Sequence, residues 1–152
     1  MAFPALKEIA VALCDGFAAE STEPMASCAV RYGPQHSFTL ATGEVGLIVV
    51  RLSEMEPSAL AHSGNAWTEW PRFRVSVFVK EDPAVGGTTL EDRRLDLIDQ
   101  VLAWLQSNRT IVANATGAHA VVVKPDEESK ECGGAQLFRT AAIEVRVHRI
   151  RS

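Results

Sequence analysis

The chain is poor in the residues that usually announce chemistry. It has three cysteines in 152 residues, Cys14, Cys28 and Cys132, and no Cys-x-x-Cys pair. An odd, widely spaced count suits a reducing compartment better than a disulfide framework. The four histidines, His36, His62, His119 and His148, show no recurring ligand spacing, so the four convergent ligands of a structural zinc site are not signalled. No serine sits in a Gly-x-Ser-x-Gly context. The only glycine pair ahead of a helical pattern, Gly86-Gly87, lacks the lysine of a phosphate-binding loop. No apolar run approaches the roughly 18 residues of a membrane helix. The N-terminal residues have no basic stretch followed by an apolar one, so no targeting signal is expected. Asn108-Arg-Thr and Asn114-Ala-Thr match the glycosylation sequon and, without such a signal, read as chance.

Positive charge is also short. Nineteen acidic residues face fifteen Lys and Arg, for a net charge of −4, which argues against broad non-specific nucleic-acid binding. Apolar residues at 47% and charged residues at 22% describe a globular chain, long enough for one domain with a real core. Neither an internal repeat nor a domain boundary is visible, so residues 1–152 read as one domain.

What is present is patterning. Residues 71–80 alternate, with Phe73, Val75, Val77 and Val79 on one side. Residues 138–150 do the same with Ala141, Ile143, Val145 and Val147. A two-residue period means that each strand buries one face. The other faces carry Arg72, Arg74, Arg146 and His148. Lys80, Arg149 and Arg151 join them at the strand ends, and a basic stripe results if the strands pair. Residues 45–52 are apolar on both faces, as in a strand covered on each side. A short strand is expected at 27–32, an extended segment at 36–42, and short apolar strands at 110–113 and 119–124. Residues 53–66 and 124–134 read as loops.

Two helices complete the pattern. Residues 3–19 place Phe3, Leu6, Ala10, Leu13 and Phe17 on one stripe with Ile9 beside them. Pro4 suits the first turn, and Pro24 closes the connection that ends the helix. Residues 89–107 bury Leu90, Leu97, Ile98, Val101, Leu102 and Leu105. Thr88 and Glu91 have capping-box spacing, and Glu91 and Asp92 fall where the helix dipole favours acid. Arg93, Arg94, Asp96, Asp99 and Gln100 read as the solvated side. The order of elements predicts an α+β fold: a mainly antiparallel sheet with two helices packed on one face.

Candidate sites are few. Cys14 lies at the edge of the first helical stripe, where packing is its expected role. Cys132 has no histidine near it in sequence, though His119 or His148 could approach in space. Trp67 and Trp70 either cover the edge of the core or anchor an interface, where Trp is enriched. The faces carrying Arg72, Arg74 and Arg146 are either solvated or a subunit contact. Acidic residues at Glu91, Asp92, Asp96 and Asp99 and in the 126–131 loop offer the complement. Opposite signs on different faces of one chain suit head-to-tail assembly into a ring. Catalytic, metal-binding and cofactor-binding residues are not expected.

The chain also resembles the tail terminator, or tail completion, proteins of long-tailed bacteriophages. The resemblance rests on the order of an N-terminal helix, Val30-Arg31-Tyr32-Gly33-Pro34, the apolar strand 45–52 and a polar connector ending in Trp67 to Trp70. The alternating strand, Glu81-Asp82-Pro83, the helix with Leu95 to Leu105, and Gln136-Leu-Phe-Arg-Thr140 before the last strand continue it. It covers most of the chain. It implies a non-enzymatic virion protein of the tail or neck, assembled in the host cytoplasm. Such a protein forms a homo-oligomeric ring, typically a hexamer, without cofactor. The ring caps the tail-tube protein, stops tube growth and meets the head–tail connector or stopper. DNA would pass through its lumen without sequence-specific contact, which places the acidic residues rather than the Arg stripe towards the lumen. The alternatives are a head–tail joining protein and a small ligand-binding or enzymatic α+β domain, which should show a deep pocket of convergent polar groups.

Overall fold

The computed structural model describes residues 3–33, 39–56, 68–124, 130–131 and 137–151. Helix α1 spans Leu6–Ala18 and helix α2 spans Gly87–Ser107. The strands are β1 (Cys28–Tyr32), β2 (Gly46–Glu56), β3 (Thr68–Lys80), β4 (Thr110–Val112), β5 (Ala115–Lys124), β6 (Lys130–Glu131) and β7 (Leu137–Ile150). They form one sheet in the order β1-β2-β3-β7-β5-β4, with β6 added beside β7. The fold is α+β, as expected. All pairings are antiparallel except β1 with β2, which run parallel. A parallel pair cannot close through a tight hairpin, and the connection through residues 33–45 supplies the crossover.

Both helices lie on one face of the sheet. Ile9, Leu13 and Phe17 of α1 and Leu90, Leu97 and Val101 of α2 meet Ile48, Val50, Phe73, Val75, Val77, Val79, Ile143, Val145 and Val147. The alternation in β3 and β7 therefore faces as its period requires. Each fully buried aliphatic or Phe side chain here contributes about 1.5–3 kcal/mol. The helices meet through Trp104, whose ring stands edge-on to Phe17 at 5.1 Å. Gly16 makes that approach possible, because a Cβ there would lie 2.0 Å from the indole.

The opposite face is not uniformly polar. Leu40, Leu47, Val49 and Phe138 are buried together, with Ala29 and Phe78 against them. This small second core covers one end of β2, so its two-sided apolar pattern is satisfied by a crossover residue and by strand neighbours.

Several local expectations are corrected. Residues 53–56 belong to β2, which continues to Glu56. Lys124 ends β5, and Lys130–Glu131 pairs with Phe138 and Leu137 of β7, so neither expected loop is loop throughout. Helix α1 starts at Leu6 behind an Ala5 cap, leaving Phe3 and Pro4 outside it. It ends at Ala18, well before Pro24. Of the extended segment expected at 36–42, residues 36–38 lie outside the described residues and 39–42 form no strand. The capping box does not form. Helix α2 begins behind Gly86, with no side-chain cap. Thr88 thus falls inside the helix, Glu91 and Asp92 lie beyond its first turn, and the Glu91 carboxylate is taken by Arg94.

Two residues assigned to the solvated side of α2 are structural. Arg94 is buried, donating to Glu91 and, through Nη1, to the Thr140 carbonyl at 3.4 Å. Gln100 brackets the turn after α1. Its amide donates to the carbonyls of Thr22 and Glu23, and its Oε1 accepts from the Met25 N–H. Buried polar groups need partners, and both side chains supply them to backbone between elements.

Candidate functional site

The outer face of the sheet holds the candidate site. Antiparallel pairing of β3 with β7 sets Arg72 opposite Arg146 and Arg74 opposite Glu144. Like charges directly opposed are unfavourable, and the surrounding residues answer that. Arg74 donates from Nε and Nη2 to Glu144 Oε1 at 3.2 and 3.0 Å. Ser53 Oγ lies 2.8 Å from the other oxygen of Glu144. Arg72 Nη1 sits 3.6 Å from Glu54, an exposed contact of the kind worth about 0–1 kcal/mol. The Arg146 guanidinium lies over the Trp70 ring at 4.0 Å, and His148 stacks on Trp70 at 4.2 Å, nearly parallel.

Arg72, Arg74, Arg146 and Trp70 are thus brought together on one face, and so is His148. The basic stripe is interleaved with Glu54 and Glu144. Glu144 was readable, since it stands two residues before Arg146 and shares its face. Glu54 was not, because the irregularity between Leu52 and Glu54 leaves Ser53 as an extra residue and switches the faces beyond it. Arg149 does not belong to this face. It pairs with Glu69 on the helix side, donates to the Pro4 carbonyl at 2.9 Å and lies over Phe3, so it fastens the segment before α1. Arg151 also lies over Phe3. Trp67 lies outside the described residues.

Beside Trp70, strand β5 adds a groove. Register places His119 against Arg146 and Val121 against Glu144. Arg72, His119, Val121, Val123, Glu144 and Arg146 line a cavity of about 380 Å³. Val121 and Val123 are about 40% exposed there, which gives the groove an apolar floor in a charged rim. The pattern of residues 119–124 hid this, because valine in a strand reads as core.

The acidic candidates lie across the molecule. Helix α2 packs on the other side of the sheet, and its outer surface exposes Asp92, Asp96 and Asp99. Leu95 stands among them, 47% exposed. Glu91 is partly withdrawn, since hydrogen bonding to Arg94 holds its carboxyl below its ordinary value.

The two described cysteines, Cys14 and Cys28, offer little nucleophilic chemistry. Burial, with Asp15 nearby, pushes the Cys14 thiol up to about 11. Burial, then Glu23 and Glu44, pushes Cys28 up to about 12, and its Sγ donates to the Pro24 carbonyl at 3.3 Å. Thiolate is the reactive form, and both sites disfavour it. Cys132, His36 and His62 lie outside the described residues. Among the described residues, no group of three or more His, Cys, Asp and Glu side chains is placed to hold a metal ion. No helix among them is long and apolar enough to cross a membrane.

No known family model matches the chain, and no curated protein sequence matches it. Among solved structures, the chain is similar to the sheath/tube terminator of PVC, an extracellular contractile injection system, in its extended state. The TM-score is 0.44 and the sequence identity 14%, over 100% of this chain and 58% of that one. The chain therefore spans less than two thirds of the length of that protein.

Proposed function

We propose that this chain is a structural subunit of a phage-type tail or neck, without catalytic activity or cofactor. Copies associate head to tail into a closed ring, six-fold in the simplest reading. The ring caps a tail tube, ends its polymerisation and offers its other surface to the head–tail connector. The chain then belongs in the virion, and DNA passes through the ring without sequence-specific contact.

The observation that carries this reading is the placement of opposite charge on opposite sides of one sandwich. The sheet face presents Arg72, Arg74 and Arg146 beside Trp70. The outer surface of α2 presents Asp92, Asp96 and Asp99. A surface that complements a different surface of the same molecule builds a heterologous contact, and repetition of that contact closes a ring when the rotation allows. The order of elements, which resembles that of tail terminators, supports the tail setting.

Negative-stain microscopy of the purified chain, alone and with tail tubes, tests the proposal. Six-fold rings, or rings at tube ends, are the expected result. A particle that stays monomeric even with tubes overturns it, and a twelve-fold ring moves the reading to a head–tail joining component.

A further inference from the structure

Resting on the head-to-tail reading above, we infer that Leu95 of one copy seats in the Val121–Val123 groove of the next. The two patches match in shape and in sign. Leu95 is a large apolar side chain exposed on a helix, with Asp92, Asp96 and Asp99 around it. The groove has an apolar floor of Val121 and Val123 and a rim that includes Arg72, Arg146 and His119. The one carboxylate in its lining, Glu144, is already engaged by Arg74 and Ser53, and Glu54 beside Arg72 offsets part of the rim charge.

Each patch leaves apolar surface in water, and each sits inside a charged ring that would guide one onto the other. An apolar centre that excludes water within a polar rim is how interfaces concentrate their binding energy. Complementary potentials around that centre fix register and speed encounter. The patches lie on opposite sides of the sandwich, because α2 packs against the inner face of the sheet while the groove opens on the outer one. One molecule cannot satisfy itself, and two copies related by a two-fold axis would bring groove to groove. Only a translation or rotation that repeats, knob into groove, uses both. A stable contact needs about 800 Å² from each partner, so Arg51, Arg74 and Trp70 would join the rim. The acidic face of α2 would then lie between subunits and not along the lumen.

The test uses three forms of the full chain in sedimentation velocity and native mass measurement: wild type, Leu95→Glu and Val121→Glu. Both positions are exposed, and circular dichroism with a thermal melt confirms that each variant folds; Leu95→Ala serves as a milder probe of the knob. The inference expects wild-type oligomers, monomers for each Glu variant alone, and association weakened roughly thirtyfold by Leu95→Ala. Mixing the two Glu variants is the decisive arm. The intact groove of one meets the intact knob of the other, so 1:1 pairs form and growth stops there. Wild-type rings that survive both Glu substitutions, or a mixture that gives no pairs, overturn the contact while leaving the ring reading standing. A wild type that is monomeric alone and on tail tubes overturns both.

Discussion

The two faces of β3 and β7 are built from the same residues in alternation, yet they are held by different physics. On the inner face Phe73, Val75, Val77 and Val79 lie beside Ala141, Ile143, Val145 and Val147, all nearly or wholly excluded from water under two helices. On the outer face Arg74 holds Glu144, Arg72 approaches Glu54, and Trp70 carries Arg146 and His148. Burial makes the inner face indispensable to folding. Solvent screening makes the outer contacts individually weak. The charged part of the outer face is therefore free to serve partners, whereas the small second core of Leu40, Leu47, Val49 and Phe138 on that face still belongs to the fold.

The sharpest way to break that contrast is to put charge on the inner face. Val77 is fully buried between β2 and β7 beneath α2. Val77→Asp would bury a carboxylate without a partner, and a loss of more than about 4 kcal/mol is expected, enough to abolish the folded state. Circular dichroism should show no cooperative melt; a well-folded variant would mean that the inner face is wetter than its packing indicates.

Arg94 tests whether a charged residue on the inner side behaves like the core or like the surface. It is 5% exposed, with its guanidinium shared between Glu91 and the Thr140 carbonyl. Arg94→Ala removes the hydrogen bonds to Glu91 and to the Thr140 carbonyl together with the packing of the stem, and should cost about 2–3 kcal/mol by urea denaturation. The pair also gives a pH signature. The Glu91 carboxyl is lowered from its ordinary value of 4.5 by Arg94. Its contribution is therefore fully present above that value and fades as pH falls through the lower folded one. The stability gap between wild type and Glu91→Gln should be constant near neutrality and close in strong acid. A gap that widens with acid would contradict the pairing.

A third change sharpens the picture of how closely the elements approach. A Cβ at Gly46 would lie 2.6 Å from the Phe78 carbonyl oxygen, which is strand backbone and has little room to retreat. Gly46→Ala should cost about 1–3 kcal/mol through overpacking, measured as a lowered Tm. Gly87→Ala, at the first position of α2, meets nothing within 4 Å and is the unhindered control, with no loss of Tm expected.

Periodicity made the inner face legible, because two-residue and 3.6-residue spacing are direct consequences of where side chains point. Both helices and the two long strands were found that way. Arg94 reads as solvated by its charge, although it stands four residues after Leu90 and three before Leu97, on the buried stripe. Arg149 reads as part of the basic stripe by its neighbours, although its odd number shares the face of Val145 and Val147. Bulges defeated the pattern more thoroughly. The extra residues near Ser53, Ala118 and Val123 shift the register, and a pattern of alternation carries no mark of that shift. The apolar floor of the groove was hidden for this reason, and the ion pairs were hidden because pairing across strands depends on register. Val121 and Val123 look like core residues until the register shows which side of β5 they occupy.

The smallest effect on the fold is expected where the largest effect on assembly is proposed. Arg74 and Glu144 are partly exposed, at 26% and 19% of their side chains, so Arg74→Ala should lower stability by only about 0.5–1 kcal/mol. Reversing charge at Arg72, Arg74 and Arg146 together adds repulsion on a face already holding Glu54 and Glu144. The chain should nevertheless keep a cooperative melt, because the inner face is untouched. Rings should fail to form, and mixing with wild type should not rescue closure, since every reversed copy presents a defective face to one neighbour. A triple variant that melts like wild type and still closes into rings would show that the outer face is merely solvated. A variant that unfolds would show that the two faces are not independent, and that the outer ion pairs support the fold more than their exposure implies.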